Sequence, residues 1–185
     1  VTVCGSNFSI KSKLLIATDG KDSLIRKLSK ITNFKKKYHH NALVLNLSHS
    51  KNHNGVAYEI FKNTGPLAIL PMLSTSKNYH RSSVIWSQSL EFVRNFDQNN
   101  NNLLSMMDET VGQYIGDVVA INNIKKFQLS AHINNSFYDH RLVFVGDSAH
   151  SVHPIAGQGW NLGLRGIANL FNSINEASEL GLDPG

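Results

Sequence analysis

The chain is short of cysteine, of acidic residues and of long apolar runs, and each shortage excludes something. A single cysteine, Cys4, rules out an internal disulfide and permits a reducing compartment. No apolar run approaches the ~20 residues of a membrane-spanning helix. Val1-Thr2-Val3-Cys4-Gly5 has neither a basic n-region nor an apolar h-region, so it does not read as a secretory signal. Val1 is not an initiator methionine, and the chain is expected to be a fragment of a longer one. Thirteen acidic residues against 18 Lys and Arg leave a net charge of +5 and a pI near 9.4. That balance suits an anionic cofactor, an acidic membrane surface or nucleic acid. The most basic cluster, Lys35-Lys36-Lys37-Tyr38-His39-His40, lacks the Arg-rich, aromatic-interleaved or zinc-ligand pattern of a nucleic-acid module. It is expected to be a solvated loop, and no nucleic-acid partner is expected. There is no solenoid repeat, and the only low-complexity tract is the polar stretch Asp97–Asn102.

What is present centres on Arg141–Ile174. Leu142–Val145 is a run of four apolar residues bounded by Gly146, which suits a strand covered on both faces. It delivers Asp147 to a loop, the position at which such strands face a ligand crevice. Farther on, Trp160, Leu164, Ile167, Phe171 and Ile174 recur at helical steps and are expected to form a core-facing stripe. Gly159, Gly163 and Gly166 form a second row beside it. Glycine inside a helix costs roughly 1 kcal/mol relative to alanine, so three on one row imply either a ligand lying close or tight helix-on-strand packing. The helix opens at Gly157-Gln158-Gly159, where free N–H groups and the positive dipole end favour an anionic or carbonyl-rich ligand.

In chain order, Val1–Cys4 and Phe8–Ile10 read as a hairpin. Leu14–Ala17 reads as a buried strand that stops at Thr18-Asp19-Gly20, and helical spacing resumes at Ser23-Leu24-Ile25-Arg26-Lys27-Leu28. This is a second strand–Asp–Gly–helix unit. Its plainer reading makes Asp19 and Gly20 turn residues and Arg26 a surface cation. From about Tyr38 the pattern becomes β, with short segments at Ala42–Leu47, Val56–Phe61, Leu67–Leu70 and Ser83–Ser87; such spacing implies an antiparallel sheet able to wall a pocket. Pro66 and Pro71 bracket one segment, which is expected to be short or at an edge. Helical character returns at Leu90–Phe96 and Leu103–Ile115, where Met106 and Met107 read as core filling. Phe127–Ala131 is expected to be a strand crossing back. The expected fold is therefore α/β, a split Rossmann-like domain with an inserted antiparallel sheet: residues 1–34 and 127–185 in one piece, 35–126 in the other.

Gly146-Asp147-Ser148-Ala149-His150, then Pro154 and Gly157-Gln158-Gly159-Trp160-Asn161-Leu162-Gly163, resembles the second FAD-binding motif of the class A flavoprotein monooxygenases. Ala17-Thr18-Asp19-Gly20-Lys21-Asp22-Ser23-Leu24-Ile25-Arg26 resembles their "DG" motif. His153-Pro154-Ile155-Ala156-Gly157-Gln158-Gly159, with Ala57-Tyr58-Glu59 and Gly65–Pro71, is most similar to the ubiquinone-biosynthesis branch, the 2-polyprenyl-6-methoxyphenol hydroxylase type. The resemblance implies FAD as cofactor, NAD(P)H as reductant, O2 as co-substrate and a polyprenyl phenol as the aromatic substrate. It implies a cytoplasmic enzyme peripheral to the inner membrane, with possible membrane or biosynthetic-complex contacts. It assigns cofactor binding to Asp19, Gly20, Arg26, Gly146, Asp147, Pro154, Gly157, Gln158, Gly159 and Asn161. Asp147 would hold the ribityl chain, the 154–159 loop would pass the isoalloxazine ring, and Asp19 with Arg26 would organise the pyrophosphate region. No catalytic nucleophile or base is implied, because the oxygen chemistry belongs to the cofactor.

The sequence departs from that pattern in three places. Gly166 stands where an aspartate is common and Thr18 where alanine is usual. No G-x-G-x-x-G follows a strand, so the chain alone is expected to bind FAD weakly or not at all and to be inactive. Other readings compete. Asp147, His150 and His153 could form a metal triad, although the histidines lack helical i,i+4 spacing. Gly146-Asp147-Ser148 hints at a serine hydrolase but lacks the second glycine of a nucleophile elbow. A related hydroxylase of a soluble aromatic, and a non-catalytic remnant, also remain.

Overall fold

The computed structural model describes residues 1–74, 78–96, 102–154 and 157–185. The tract at 97–101 and residues 155–156 lie outside the described residues. In chain order the elements are β1 (Thr2–Cys4), β2 (Ser9–Lys11), β3 (Leu15–Ala17), α1 (Leu24–Leu28), β4 (Asn33–His49), β5 (Tyr58–Lys62), β6 (Gly65–Met72) and β7 (His80–Ser89). They continue with α2 (Leu90–Asn95), α3 (Leu103–Ile115), β8 (Val118–Asn134), β9 (Tyr138–Asp139), β10 (Leu142–Phe144), β11 (His150–Ser151) and α4 (Gln158–Glu179). Two compact units result. One comprises Val1–Lys37 with Ser130–Gly185, and the other comprises Tyr38–Leu129.

In the first unit β3 and β10 are parallel neighbours, Leu15 opposite Leu142 and Ala17 opposite Phe144, with β9 antiparallel on the far side of β10. Their short apolar runs supply the local core of Ala17, Leu142, Phe144 and Ala149, backed by Leu15, Ile25 and Ile31. Parallel pairing places the carboxyl ends of both strands, and therefore both Asp–Gly turns, at one edge. β1 and β2 form the expected hairpin, and β11 pairs with the end of β8, Ser151 opposite His132.

Helix α4 departs from expectation. Its apolar stripe does not face a core: Trp160 is 75% exposed, Phe171 62% and Ile167 53%, and none of its 22 residues is buried. The glycine row is the side that makes contact. A Cβ on Gly163 would meet the Gly146 Cα at 3.7 Å, and one on Gly166 would meet the Val145 side chain at 3.8 Å. Small residues let the helix lie against the turn after β10, whereas nothing among the described residues covers the bulky stripe. Gly159 is different, with open space where its Cβ would be.

The second unit is an antiparallel sheet ordered β8-β4-β7-β6-β5. Alternation places Leu43, Leu45 and Leu47 of β4 on one face, opposite Trp86, Val84 and Ser82 of β7, and Leu67 and Ile69 of β6 continue that face. One side of α3 (Leu103, Met107, Val111, Ile115) belongs to the same core, with Met106 and Tyr114 partly buried against it. The methionines are core filling. β6 is not an edge strand, because it lies between β5 and β7. Pro66 has a ladder partner only on β5 and Pro71 only on β7, so neither missing N–H interrupts a two-sided ladder. Lys35–His40 belongs to β4 rather than to a loop. Its side chains are almost all exposed, so ladder bonding, not burial, makes this segment a strand.

Candidate functional site

The turn after β10 is a tight 3-10 turn, Gly146–Ser148. Ser148 is fully buried. Its hydroxyl lies 2.5 Å from the Ala17 carbonyl and 2.8 Å from the Val145 carbonyl, and accepts the Val145 N–H at 3.2 Å. Val145 N–H also donates to the Ala17 carbonyl at 3.0 Å, which ties the ends of β3 and β10 together. A hydroxyl so enclosed is a structural clasp, and the hydrolase reading of Ser148 has no exposed nucleophile to rest on. Asp147, one residue earlier, is exposed. His150 Nδ1 lies 3.1 Å from the Gly146 carbonyl, a bond within the loop. Among the described residues no cluster of three or more His, Cys, Asp or Glu is arranged to hold a metal ion.

At the first motif, Asp19 Oδ2 accepts the Ile25 N–H at 3.1 Å, and Ser23 caps α1 by accepting the Arg26 N–H. Burial would raise the Asp19 pKa, but the Ser23 hydroxyl and the Ile25 and Leu24 N–H groups outweigh it and hold the carboxyl below its ordinary 3.8. Asp19 thus stabilises the start of α1. Gly20 has φ 83 beside it.

Arg26 is not a surface cation. It is 7% exposed, donating from Nη1 to the Ser148 carbonyl at 2.9 Å and from Nη2 to the Lys21 carbonyl at 2.7 Å. Nη1 also lies 3.2 Å from His132 Nε2, and Asn134 donates to the same Ser148 carbonyl at 3.1 Å. The guanidinium therefore bolts the first motif to the second. Ser148, which lies within the second motif, is joined in this buried network by His132, Asn134 and Ser151, which the sequence does not mark. Their signal was absent because polar residues on the end of a strand carry no motif.

Gly157 caps α4 in the left-handed region at φ 62. An open cleft of about 320 Å³ adjoins the first turns of the helix, lined by Val152, His153, Gln158, Asn161, Leu162 and Arg165. Pro154, Gly157, Gln158 and Asn161 are exposed. The structure thus brings Arg26 and the Gly146–Ser148 turn together by hydrogen bonds and sets α4 against that turn through Gly163. Asp19 and Gly20 lie beyond the neighbouring strand end. The donor chemistry suits a flat cofactor with an electron-rich edge: helix N–H groups and open space over Gly159, with an exposed carboxylate to accept hydroxyls.

Residues 2–179 match the family model described as "FAD binding domain". The chain belongs to that family. It is 34% identical over 178 residues to the ubiquinone hydroxylase UbiL of Rhodospirillum rubrum, which covers 96% of this chain and 40% of UbiL. It is 29% identical over 216 residues to the human ubiquinone biosynthesis monooxygenase COQ6, covering 98% of this chain and 45% of that protein. Among solved structures, PqsL of Pseudomonas aeruginosa superposes with a TM-score of 0.75 at 19% identity, covering 93% of this chain and 48% of PqsL. That likeness shows the fold. The chain spans less than half the length of the curated relatives it matches.

Proposed function

We propose that this chain is the flavin- and substrate-binding part of an FAD-dependent monooxygenase that hydroxylates the ring of a polyprenylated phenol in ubiquinone biosynthesis, with NAD(P)H and O2. One observation carries the reading: the two Asp–Gly turns follow parallel neighbouring strands and are bolted by Arg26 in a chain similar along 96% of its length to a ubiquinone hydroxylase. FAD, when bound, supplies the redox and oxygen chemistry. The residues assigned to it are Asp19, Gly20, Arg26, Gly146, Asp147, Pro154, Gly157, Gln158, Gly159 and Asn161. In this reading Asp147 accepts hydroxyl hydrogens of the cofactor. The first N–H groups of α4 would serve its carbonyl edge, and Arg26 would act through the turn by fixing the Ser148 carbonyl.

The sheet of the second unit is the proposed substrate wall. On the face opposite its core the register aligns Val44, Ile85 and Ala68, with Leu70 and Phe61 farther along, all partly or largely exposed. Apolar side chains of this kind suit an aromatic ring carrying a prenyl tail. A substrate that resides in lipid implies work at a membrane surface, for which the net charge of +5 is favourable. No described helix is long and apolar enough to cross a membrane.

The test is product analysis with a full-length protein carrying this chain, loaded with FAD and supplied with NAD(P)H and labelled O2. A prenylated phenol is expected to gain one labelled oxygen on the ring. Label entering only a soluble phenol would overturn the substrate assignment, and absence of a flavin spectrum would overturn the whole reading.

A further inference from the structure

His132 lies 3% exposed at the end of β8, and its ring joins that strand to α1 and β11. Nε2 is 3.2 Å from Arg26 Nη1. A guanidinium only donates, so the ring nitrogen must accept. The proton of the neutral ring then sits on Nδ1, which donates to the Ser151 hydroxyl at 2.8 Å. Ser151 is on β11, the strand paired to β8 at this point, while Arg26 is on α1 and reaches the 3-10 turn. Among the described residues no carboxylate lies within salt-bridge distance of Arg26. Its partners are two carbonyls and this imidazole.

We propose that His132 is a positioning residue for the turn that carries Asp147: as a neutral ring protonated at Nδ1 it accepts from Arg26 and so keeps the guanidinium on the Ser148 carbonyl. Its consequence for cofactor binding rests on the flavin reading above, whereas the positioning does not. Protonation at Nε2 would set a donor against a donor and a cation against a cation, and the bond would be lost. Burial is the main cause holding the ring neutral, and Arg26 from α1, Lys35 from β4 and Lys21 from the loop before α1 add to it. Asp147 alone favours the charged ring. The ring therefore titrates below its ordinary 6.5. The support it gives is complete above that value and is lost as pH falls through the lowered one.

The test uses the 185-residue chain. Imidazole 15N shifts at pH 7 are expected to show His132 neutral with the proton on Nδ1; a ring protonated at Nε2 or charged would overturn the proposal. In His132→Phe, amide exchange protection at Val145 and Ala149 is expected to fall about tenfold, the order expected when a buried donor loses its partner. Protection of Leu43–Leu47 in the second unit should stay unchanged, and His132→Gln, which retains an acceptor, should recover most of the loss. Undiminished protection in His132→Phe overturns the proposal. If that variant does not fold, acidification of the wild-type chain serves in its place, and protection of the turn must fall in step with the ring's titration or the proposal fails. FAD is then titrated into a full-length protein carrying this chain, as wild type and as His132→Gln, across the same pH range. Affinity that falls with ring protonation in wild type alone supports the coupling to the cofactor. Lost turn protection with FAD binding unchanged or absent throughout would remove the flavin consequence and leave the positioning role standing.

Discussion

Replacing Ser148 by alanine removes one hydroxyl from a site without solvent access, where the ends of β3 and β10 are clasped. The hydroxyl has two carbonyls within reach, Ala17 at 2.5 Å and Val145 at 2.8 Å, but one proton, so it satisfies one of them at a time. It also accepts the Val145 N–H at 3.2 Å. In the variant that N–H keeps its 3.0 Å bond to the Ala17 carbonyl, so no buried donor is orphaned. The loss is then one to two net hydrogen bonds, about 1–2 kcal/mol. Ser148→Thr should be no milder, since an added methyl in a filled site costs about 1–3 kcal/mol. Native-state amide exchange at Val145 and Ala149 reads the effect locally, with Leu43–Leu47 as the internal control. A Ser148→Ala change within about 0.5 kcal/mol of wild type, the range of ordinary surface substitutions, would refute the clasp. Labelling of Ser148 in the native protein by a serine-directed phosphonate would refute its burial.

Two glycines with positive φ should respond differently to alanine. At Gly146, φ 64, the new Cβ meets nothing within 4 Å, so only the left-handed backbone costs, about 1–2 kcal/mol. At Gly65, φ 134, the Cβ would lie 2.5 Å from the Ser87 carbonyl oxygen and the ladder itself must shift. The urea midpoint should therefore drop further for Gly65→Ala, and equal drops would contradict the geometry. His49 supplies a pH test in the second unit: it is fully buried, with Nδ1 2.9 Å from the Lys51 carbonyl and Nε2 3.0 Å from the Ser82 hydroxyl. Burial, with smaller contributions from His53 and His80, holds it below the ordinary 6.5 although its backbone hydrogen bonds oppose the shift. The unfolded chain then binds the extra proton first, so stability of this unit should fall as pH drops from 6.5 through the lowered value. Exchange protection of Leu43–Leu47 measured against pH checks this, and His49→Gln should flatten the curve.

Much of this was legible in the residues. The apolar runs ending at Asp19 and Asp147 announce two like strand–turn units, and the helical character over Leu103–Ile115 matches the bounds of α3. The failures have a common cause, which is that side-chain periodicity reports a face and not its occupant. The period of the stripe on α4 is helical and suggests a core face, yet among the described residues it is Gly163 and Gly166 that meet the rest of the chain. The sequence marks β8 only from Phe127 onward and suggests a loop at Lys35–His40. Both strands are largely exposed there, so no alternation of burial was written into their sequences. Arg26 pointed inward without any local sign, because its acceptor on Ser148 is 122 residues away.

The choice of partners for Arg26 bears on what the site can hold. A carboxylate beside the guanidinium would cancel its charge, and the pair would look neutral from the turn above. Carbonyl dipoles and a neutral imidazole instead solvate the cation without cancelling it, and the bonds they make orient it under Ser148. Helix α4, which lies against the same turn through Gly163, adds the partial positive charge of its first N–H groups about a turn farther toward its start. Asp147 is the carboxylate on the same turn, and its exposure leaves it screened by water. A ligand that displaces that water meets an unscreened carboxylate for its hydroxyls and an uncancelled cation beneath the turn. Such a field discriminates between parts of one molecule, favouring hydroxyl donors at Asp147 and an electron-rich or anionic edge toward the helix. Because the bonds that fix it are formed within the chain, the arrangement needs no ligand to hold it together, which lowers the share of binding free energy spent on building the site.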